Sequence, residues 1–68
     1  MQDLPKPATG SELVALRKSL GVAQQDLARA LGVHRITLNK WEGADQVDAI
    51  RTARYQRALA DLTRQAIA

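Results

Sequence analysis

The sequence has no cysteine and no phenylalanine, and Trp41 and Tyr55 are its only large aromatic residues. Without cysteine the chain can form neither a disulfide nor a thiolate metal site, which suits a reducing cytoplasm. A single histidine, His34, and the lack of paired acidic residues give no grounds for a metal site, a cofactor or an enzyme's active site. We also expect no membrane association, because the chain has neither a signal-peptide pattern nor an apolar run long enough to span a bilayer.

The chain has 68 residues and a formal net charge of +3, with a sequence pI near 10.0. A single domain of this size buries only roughly 60% of the surface of its unfolded chain, so a partner subunit would add to its stability. The basic balance favours a polyanionic partner, although a small soluble domain can reach this charge by chance. Charge therefore permits nucleic-acid binding without identifying it.

The first part of the chain divides into an arm and a helix. Residues 1–8 contain two prolines and no helical period, which predicts a flexible arm, and the domain is expected to fill residues 9–68. Thr9 and Glu12 fit a capping box, so the first helix should begin at Thr9 or just after and end at Gly21. Arg17 lies beside the predicted apolar stripe and is expected to be held by a partner side chain. That stripe consists of Leu13, Leu16 and Leu20.

The stretch 24–43, QQDLARALGVHRITLNKWEG, predicts two short helices about a tight turn. The second helix should run from about Gln24 to Leu31 and the third from about Arg35 to Glu42. Gly32 stands where a left-handed backbone ends the second helix, and Gly43 ends the third. A short turn containing glycine between two crossing helices is the signature of the DNA-binding helix-turn-helix. The apolar positions are Leu27, Leu31, Val33, Leu38 and Trp41, with the small Ala28 where the helices approach closely.

A long fourth helix is predicted from about 46 to 67, with Asp45 as its cap. It is apolar on two sides, which favours packing on both. One face should close the core, and the other should meet a second copy, giving a homodimer through the C-terminal helix. The alternative is that the second face holds alanines as mere helix formers. The first face comprises Val47, Ile50, Tyr55, Ala58, Leu59 and Leu62, and the second Ala49, Ala53, Ala60 and Ile67.

The segments LRKSLG, QQDLARALGV and TLNKWEG resemble the phage-repressor helix-turn-helix family, also called the Cro/CI or XRE type. The resemblance implies an all-α, lambda-repressor-like domain of four helices, of which the last is long here. It implies an ion pair between Arg17 and Glu42, and a phosphate contact for Gln24 at the opening of the second helix. The chain departs from the family at Ala23 and His34, where the family favours serine or threonine as helix caps.

The resemblance places the outward face of the third helix in the major groove of double-stranded DNA. Arg35 suits guanine, Ile36 a thymine methyl, and Asn39 and Lys40 suit either a base or the backbone. Arg51 is predicted to contact the DNA backbone; the alternative is that it pairs with an acidic neighbour at helical spacing. The predicted base-reading residues are Arg35, Ile36, Asn39 and Lys40, and the predicted backbone contacts are Gln24, His34, Thr37 and Arg51.

These features favour a sequence-specific DNA-binding regulator, acting as a dimeric repressor on an inverted repeat, of the kind found in phage and mobile elements. No small-molecule ligand is expected. The alternative is a protein-interaction module, such as an antitoxin or anti-activator built on the same fold. The polar and basic outward face of the third helix favours DNA, since a protein-docking face would be more apolar.

Overall fold

The computed structural model describes the backbone of residues 6–67 and the side chains of residues 6–65. Four helices follow one another: α1 (Gly10–Ser19), α2 (Gln24–Leu31), α3 (Arg35–Glu42) and α4 (Ala49–Ile67). Within this range the only β-type pairing is an isolated antiparallel bridge between Ala8 and Val47. The prediction of an all-α domain of four helices, with the last one long, is confirmed. None of these helices combines the length and apolarity needed to cross a membrane.

The predicted N-terminal arm lies mostly outside the described residues. Its last residue, Ala8, is fixed: its N–H donates to the Val47 carbonyl at 3.3 Å, and its carbonyl accepts from Val47 N–H at 2.7 Å. The capping box then starts α1, because the Glu12 N–H donates to Thr9 Oγ1 at 3.0 Å and Glu12 Oε1 accepts from the Thr9 N–H at 2.9 Å. Bonds to distant and neighbouring residues thus hold the segment from Ala8 to the start of α1.

The predicted apolar stripe of α1 is only partly correct. Leu13 is fully buried, whereas Leu16 and Leu20 are exposed. The buried residues of the helix, Gly10 and Leu13, lie in its N-terminal half. Leu16, in the C-terminal half of α1, and Leu20, just after its end, therefore remain at the surface.

The close approach of α1 to the end of α3 depends on Gly10. The Gly10 N–H donates to the Ala44 carbonyl at 3.0 Å. A Cβ at this position would lie 2.4 Å from the Glu42 carbonyl oxygen and 2.7 Å from that of Ala44. Only a residue without a side chain fits against this backbone, a requirement that the sequence pattern did not reveal.

The turn between α2 and α3 has the predicted geometry. Gly32 ends α2 in the left-handed conformation, with φ +71°, and the Val33 N–H returns to the Ala28 carbonyl at 3.1 Å. Ala28 and Leu27 are buried where the helices cross, facing Leu38 of α3. The turn fixes the angle between α2 and α3.

Helix α4 begins at Ala49, three residues later than predicted, and its cap is Asp48 rather than Asp45. Asp48 Oδ1 accepts from the Arg51 N–H at 2.8 Å, as an N-cap does. The helix cannot start earlier because Val47 is extended in its bridge with Ala8.

The buried face of α4 also differs from the prediction at two positions. Ile50, predicted on the apolar stripe, is 74% exposed, since it lies about 140° around the helix from Tyr55. Thr52 is buried instead; its hydroxyl donates to the Val47 carbonyl at 3.1 Å and accepts from the Ala8 N–H at 3.3 Å. On the second face Ala49 and Ala53 are half-buried and Ala60 is exposed, while the side chain of Ile67 lies outside the described residues. The buried apolar core comprises Leu13, Leu27, Ala28, Leu38, Val47, Tyr55, Ala58 and Leu59.

Candidate nucleic-acid interface

An ion pair joins the end of α1 to the end of α3, between the two residues for which the family resemblance implied one. Arg17 Nε donates to Glu42 Oε2 at 2.7 Å, and Arg17 Nη2 donates to Glu42 Oε1 at 3.3 Å. The side chains are only 11% and 6% exposed. Arg17 Nη1 also donates to the Val22 carbonyl at 2.9 Å, which ties the loop before α2 to the pair.

Two further side chains complete the surroundings of the Glu42 carboxylate. The Tyr55 hydroxyl lies 2.6 Å from Oε2, and Gln24 Nε2 donates to Oε1 at 2.9 Å. The Tyr55 hydroxyl also lies 3.1 Å from the Leu13 carbonyl, but its one proton favours the nearer, charged oxygen. Each carboxylate oxygen thus accepts two hydrogen bonds, and the four donors come from α1, α2 and α4. No sequence signal indicated this role of Tyr55, whose ring was predicted only on the apolar stripe of the fourth helix.

Arg17, Glu42, Tyr55 and Gln24 form a hydrogen-bonded network, which shifts the pKa values of its three ionisable members. Burial alone would raise the pKa of Glu42, but the hydrogen bonds from Arg17, Tyr55 and Gln24 and the Arg17 charge outweigh it and hold that pKa below 4.5. The hydrogen bond to Glu42 raises the pKa of Arg17. For Tyr55, burial, followed by the bond to Glu42 and its negative charge, raises the pKa well above 10.0. The carboxylate therefore stays charged and the phenol stays neutral at ordinary pH.

This pKa shift predicts how stability depends on alkaline pH. A folded-state pKa above the unfolded one means that Tyr55 contributes its full stabilisation below pH 10 and loses it as pH rises toward the folded pKa. Because Tyr55 is the only tyrosine, phenolate absorbance reports on it alone. We expect no phenolate in the folded protein near pH 10, and ionisation that coincides with the loss of helical circular dichroism. Phenolate appearing at the pH of a free tyrosine while the helices persist would contradict the buried network.

The outer face of α3 carries the predicted base-reading residues. Arg35, Ile36, Asn39 and Lys40 are exposed, whereas Leu38 is completely buried on the opposite side. The structure therefore brings these four side chains together on one solvent-facing surface. Ile36, 60% exposed, is the one large apolar side chain among them.

Gln24 lies at the start of α2, half-buried, and contacts both the network and the α3 face. Its Nε2 donates to Glu42 Oε1 and, at 3.4 Å, to Asn39 Oδ1. Both amide protons are thus directed within the protein. Ala23 precedes it in an extended N-cap conformation and provides no side-chain acceptor for the first N–H groups of α2. At this helix end, backbone N–H groups remain without a side-chain cap.

The other predicted backbone contacts border α3. His34 is its N-cap, and His34 Nδ1 accepts from the Ile36 N–H at 3.4 Å. Arg51 pairs with Asp48, as the alternative reading of its spacing held, and its guanidinium also lies 5.8 Å from the centroid of the Trp41 ring. A shallow pocket of about 270 Å³ brings Arg51 together with predicted contacts of α3; its lining includes Thr37, Lys40, Trp41 and Arg51.

Across residues 6–67, no three His, Cys, Asp or Glu residues lie close enough together to hold a metal ion. The chemistry offered by the surface of α3 is hydrogen-bond donation and positive charge.

Residues 13–42 match the family model described as Helix-turn-helix, a segment that runs from Leu13 in α1 to Glu42 at the end of α3. Comparison with curated proteins and with solved structures finds no match to this chain. The matched segment includes both members of the ion pair and the whole exposed face of α3.

Proposed function

We propose that the protein is a sequence-specific transcriptional repressor that binds an inverted repeat as a dimer. The match of residues 13–42 to the helix-turn-helix family model supports this proposal. The family match agrees with the resemblance found in the sequence and supports a DNA-binding regulator of the XRE type. We also propose that it acts in a phage or mobile element. The observation that carries the proposal is the exposed polar and basic face of α3, held outward by buried Leu38 and by the Glu42 network.

In the proposed complex α3 enters the major groove with its N-terminal residues nearest the base edges. Arg35 donates two hydrogen bonds to guanine O6 and N7, and Ile36 contacts a thymine methyl. Lys40 lies one turn after Ile36 on α3 and contacts a base or a phosphate through its positive charge. These contacts give the sequence preference.

Contacts to the phosphates set the register without reading sequence. The uncapped N–H groups at the start of α2 suit one phosphate, at the position of Gln24. Thr37 and Arg51, together in the pocket beside Lys40, suit another, with His34 at the edge of the face. Arg51 would exchange its exposed pair with Asp48 for a phosphate at little cost, because exposed ion pairs contribute little.

Dimerisation is proposed through α4, at a groove that differs from the second face predicted from the sequence, since none of Ala49, Ala53 and Ala60 lines it. An open groove of about 810 Å³ runs between α4, α2 and the loop after α1. It combines apolar side chains with charges of both signs, which suits a two-fold interface that must be complementary to itself. A dimer of this kind would present two recognition helices about 34–36 Å apart, one turn of DNA. The groove lining includes Leu20, Val22, Leu31 and Leu62, with Asp26, Arg54, Arg57 and Asp61.

Substituting a groove leucine should separate the subunits. Leu20→Ser is expected to shift the protein toward monomer in sedimentation equilibrium, since it removes exposed apolar surface from the proposed interface. Leu16→Ser is the matched control: Leu16 is equally exposed on α1 but does not line the groove. A protein that is monomeric from the start, or equal behaviour of the two variants, would contradict this interface.

Base reading by Arg35 is tested by selecting duplexes from a randomised library and then measuring binding to single-base variants of the selected site. Arg35→Ala should relax the preference at one base pair in each half-site, costing roughly 1–3 kcal/mol for the preferred base. Lys18→Ala removes the same charge from an exposed position on α1 and should leave the preference intact. If Arg35→Ala binds all variants with the wild-type ranking, Arg35 does not read a base.

A further inference from the structure

A continuous hydrogen-bonded chain leads from the buried face of α4 to the exposed face of α3. It starts at the Tyr55 hydroxyl, 2.6 Å from Glu42 Oε2, and continues from Glu42 Oε1 to Gln24 Nε2 at 2.9 Å. Gln24 Nε2 then donates to Asn39 Oδ1 at 3.4 Å. One end is completely buried and the other is exposed on the surface proposed to meet DNA.

The orientation of the Gln24 amide is set by Glu42. One Nε2 proton is bonded to the carboxylate. Because the amide group is planar, this bond also sets the direction of the second proton, which points at Asn39. With Oδ1 accepting from Gln24, Asn39 offers its Nδ2 donors to an acceptor on a base edge, such as a purine N7. Asn39 is then preset to read an acceptor.

Tyr55 keeps the carboxylate in the position that Gln24 needs. Arg17 alone would favour a symmetric fork, in which its two bonds to the carboxylate oxygens are equally long. Its two bonds to Glu42 instead differ, at 2.7 Å to Oε2 and 3.3 Å to Oε1. The hydroxyl of Tyr55 and the amide of Gln24 supply the remaining donors, one on each oxygen. Without the hydroxyl, Glu42 turns toward the symmetric fork, Oε1 moves toward Arg17, and its bond to Gln24 weakens.

We propose that Tyr55 is a specificity-determining positioning residue, which acts through Glu42 and Gln24 to fix the base-reading orientation of Asn39. The proposal rests on the proposed DNA-binding function and adds to it a residue that never contacts DNA. Part of the preference for a DNA sequence then depends on a core residue of α4.

Two substitutions on α4 separate this role from stability. Tyr55→Phe and Thr52→Val each remove one buried hydroxyl, but the Thr52 hydroxyl bonds only to Ala8 and Val47, outside the network. Both variants are first shown to be folded by circular dichroism at the assay temperature. Any effect of Tyr55→Phe that Thr52→Val does not share is then an effect of the network.

The first readout needs no DNA. Asn39 is the only asparagine of the chain, so selective ¹⁵N labelling of asparagine distinguishes its side-chain NH₂ signals from those of the glutamines. Tyr55→Phe should shift these signals and those of the Gln24 side chain, while Thr52→Val leaves them in place. Unchanged Asn39 signals in Tyr55→Phe would overturn the proposal.

The second readout is discrimination among operator variants. The base pair read by Asn39 is the one at which Asn39→Ala loses its preference. Tyr55→Phe should reduce the preference there by about two- to tenfold, the size of one hydrogen bond, and leave the preference at the Arg35 position unchanged. An equal loss of affinity for every duplex, or the same profile in Thr52→Val, would overturn the role of Tyr55. A wild-type protein that prefers no duplex would instead contradict the proposed function itself.

Discussion

Arg17→Met is expected to lower the free energy of unfolding by about 3–5 kcal/mol, because it strands the buried charge of Glu42. Methionine keeps much of the volume of the arginine stem, so the loss reflects charge and hydrogen bonds. The Glu42 side chain is 6% exposed and cannot turn to water, and it would keep only Tyr55 and Gln24 as donors. The bond from Arg17 to the Val22 carbonyl is lost as well.

The effect is large for so small a domain. At typical values per residue, 68 residues give a total stability of roughly 3–10 kcal/mol, so the variant should lie near the edge of unfolding. Urea denaturation followed by circular dichroism measures the change. Arg64→Met is the matched control, since it breaks the exposed pair with Asp61 and should cost less than about 1 kcal/mol. Similar midpoints for the two variants would mean that the buried pair contributes no more than a surface pair.

Gly10→Ala is expected to cost about 3 kcal/mol or more, at the upper end of overpacking effects. The added Cβ would lie 2.4 Å from the Glu42 carbonyl oxygen, and the opposing atoms are backbone, which cannot turn aside. The start of α1 must withdraw, which breaks the bond from the Gly10 N–H to the Ala44 carbonyl. The same movement pulls Arg17, on the same helix, away from Glu42.

Gly43→Ala provides a control of opposite sign. Gly43 has an ordinary right-handed conformation, and a Cβ there would meet the Asn39 carbonyl oxygen at 3.4 Å, a normal contact. Alanine should stabilise the protein by about 0.4–1 kcal/mol by restricting the unfolded chain. Thermal unfolding of both variants measures the contrast. If Gly10→Ala melts at or above the wild-type temperature, α1 does not approach α3 as closely as described.

What the sequence predicted well depends on neighbours in the chain. The capping box at Thr9, the left-handed Gly32 and the bounds of α2 and α3 follow from local rules of helix ends, and all appear in the structure. The pairing of Arg17 with Glu42 came from the family resemblance, because twenty-five positions separate the two residues and no local rule joins them.

What the sequence did not predict depends on contacts between distant segments. The start of α4 is delayed because Val47 pairs with Ala8, which no pattern within 45–67 reveals. Thr52 is buried since that same pairing satisfies its hydroxyl. The roles of Gly10 and Tyr55 arise only when α1, α3 and α4 meet at Glu42. For Gln24, the family resemblance implied a phosphate contact, and nothing in the sequence indicated its bonds to Glu42 and Asn39.

The central claim is that the exposed face of α3 gives this protein a preference for one duplex sequence. The most direct test is the ratio of dissociation constants for the duplex selected from a randomised library and for a scrambled duplex of the same composition, measured over a range of salt concentrations. We predict a ratio of at least about 10³, with both affinities falling as salt rises. Equal dissociation constants for the two duplexes at every salt concentration would contradict the claim.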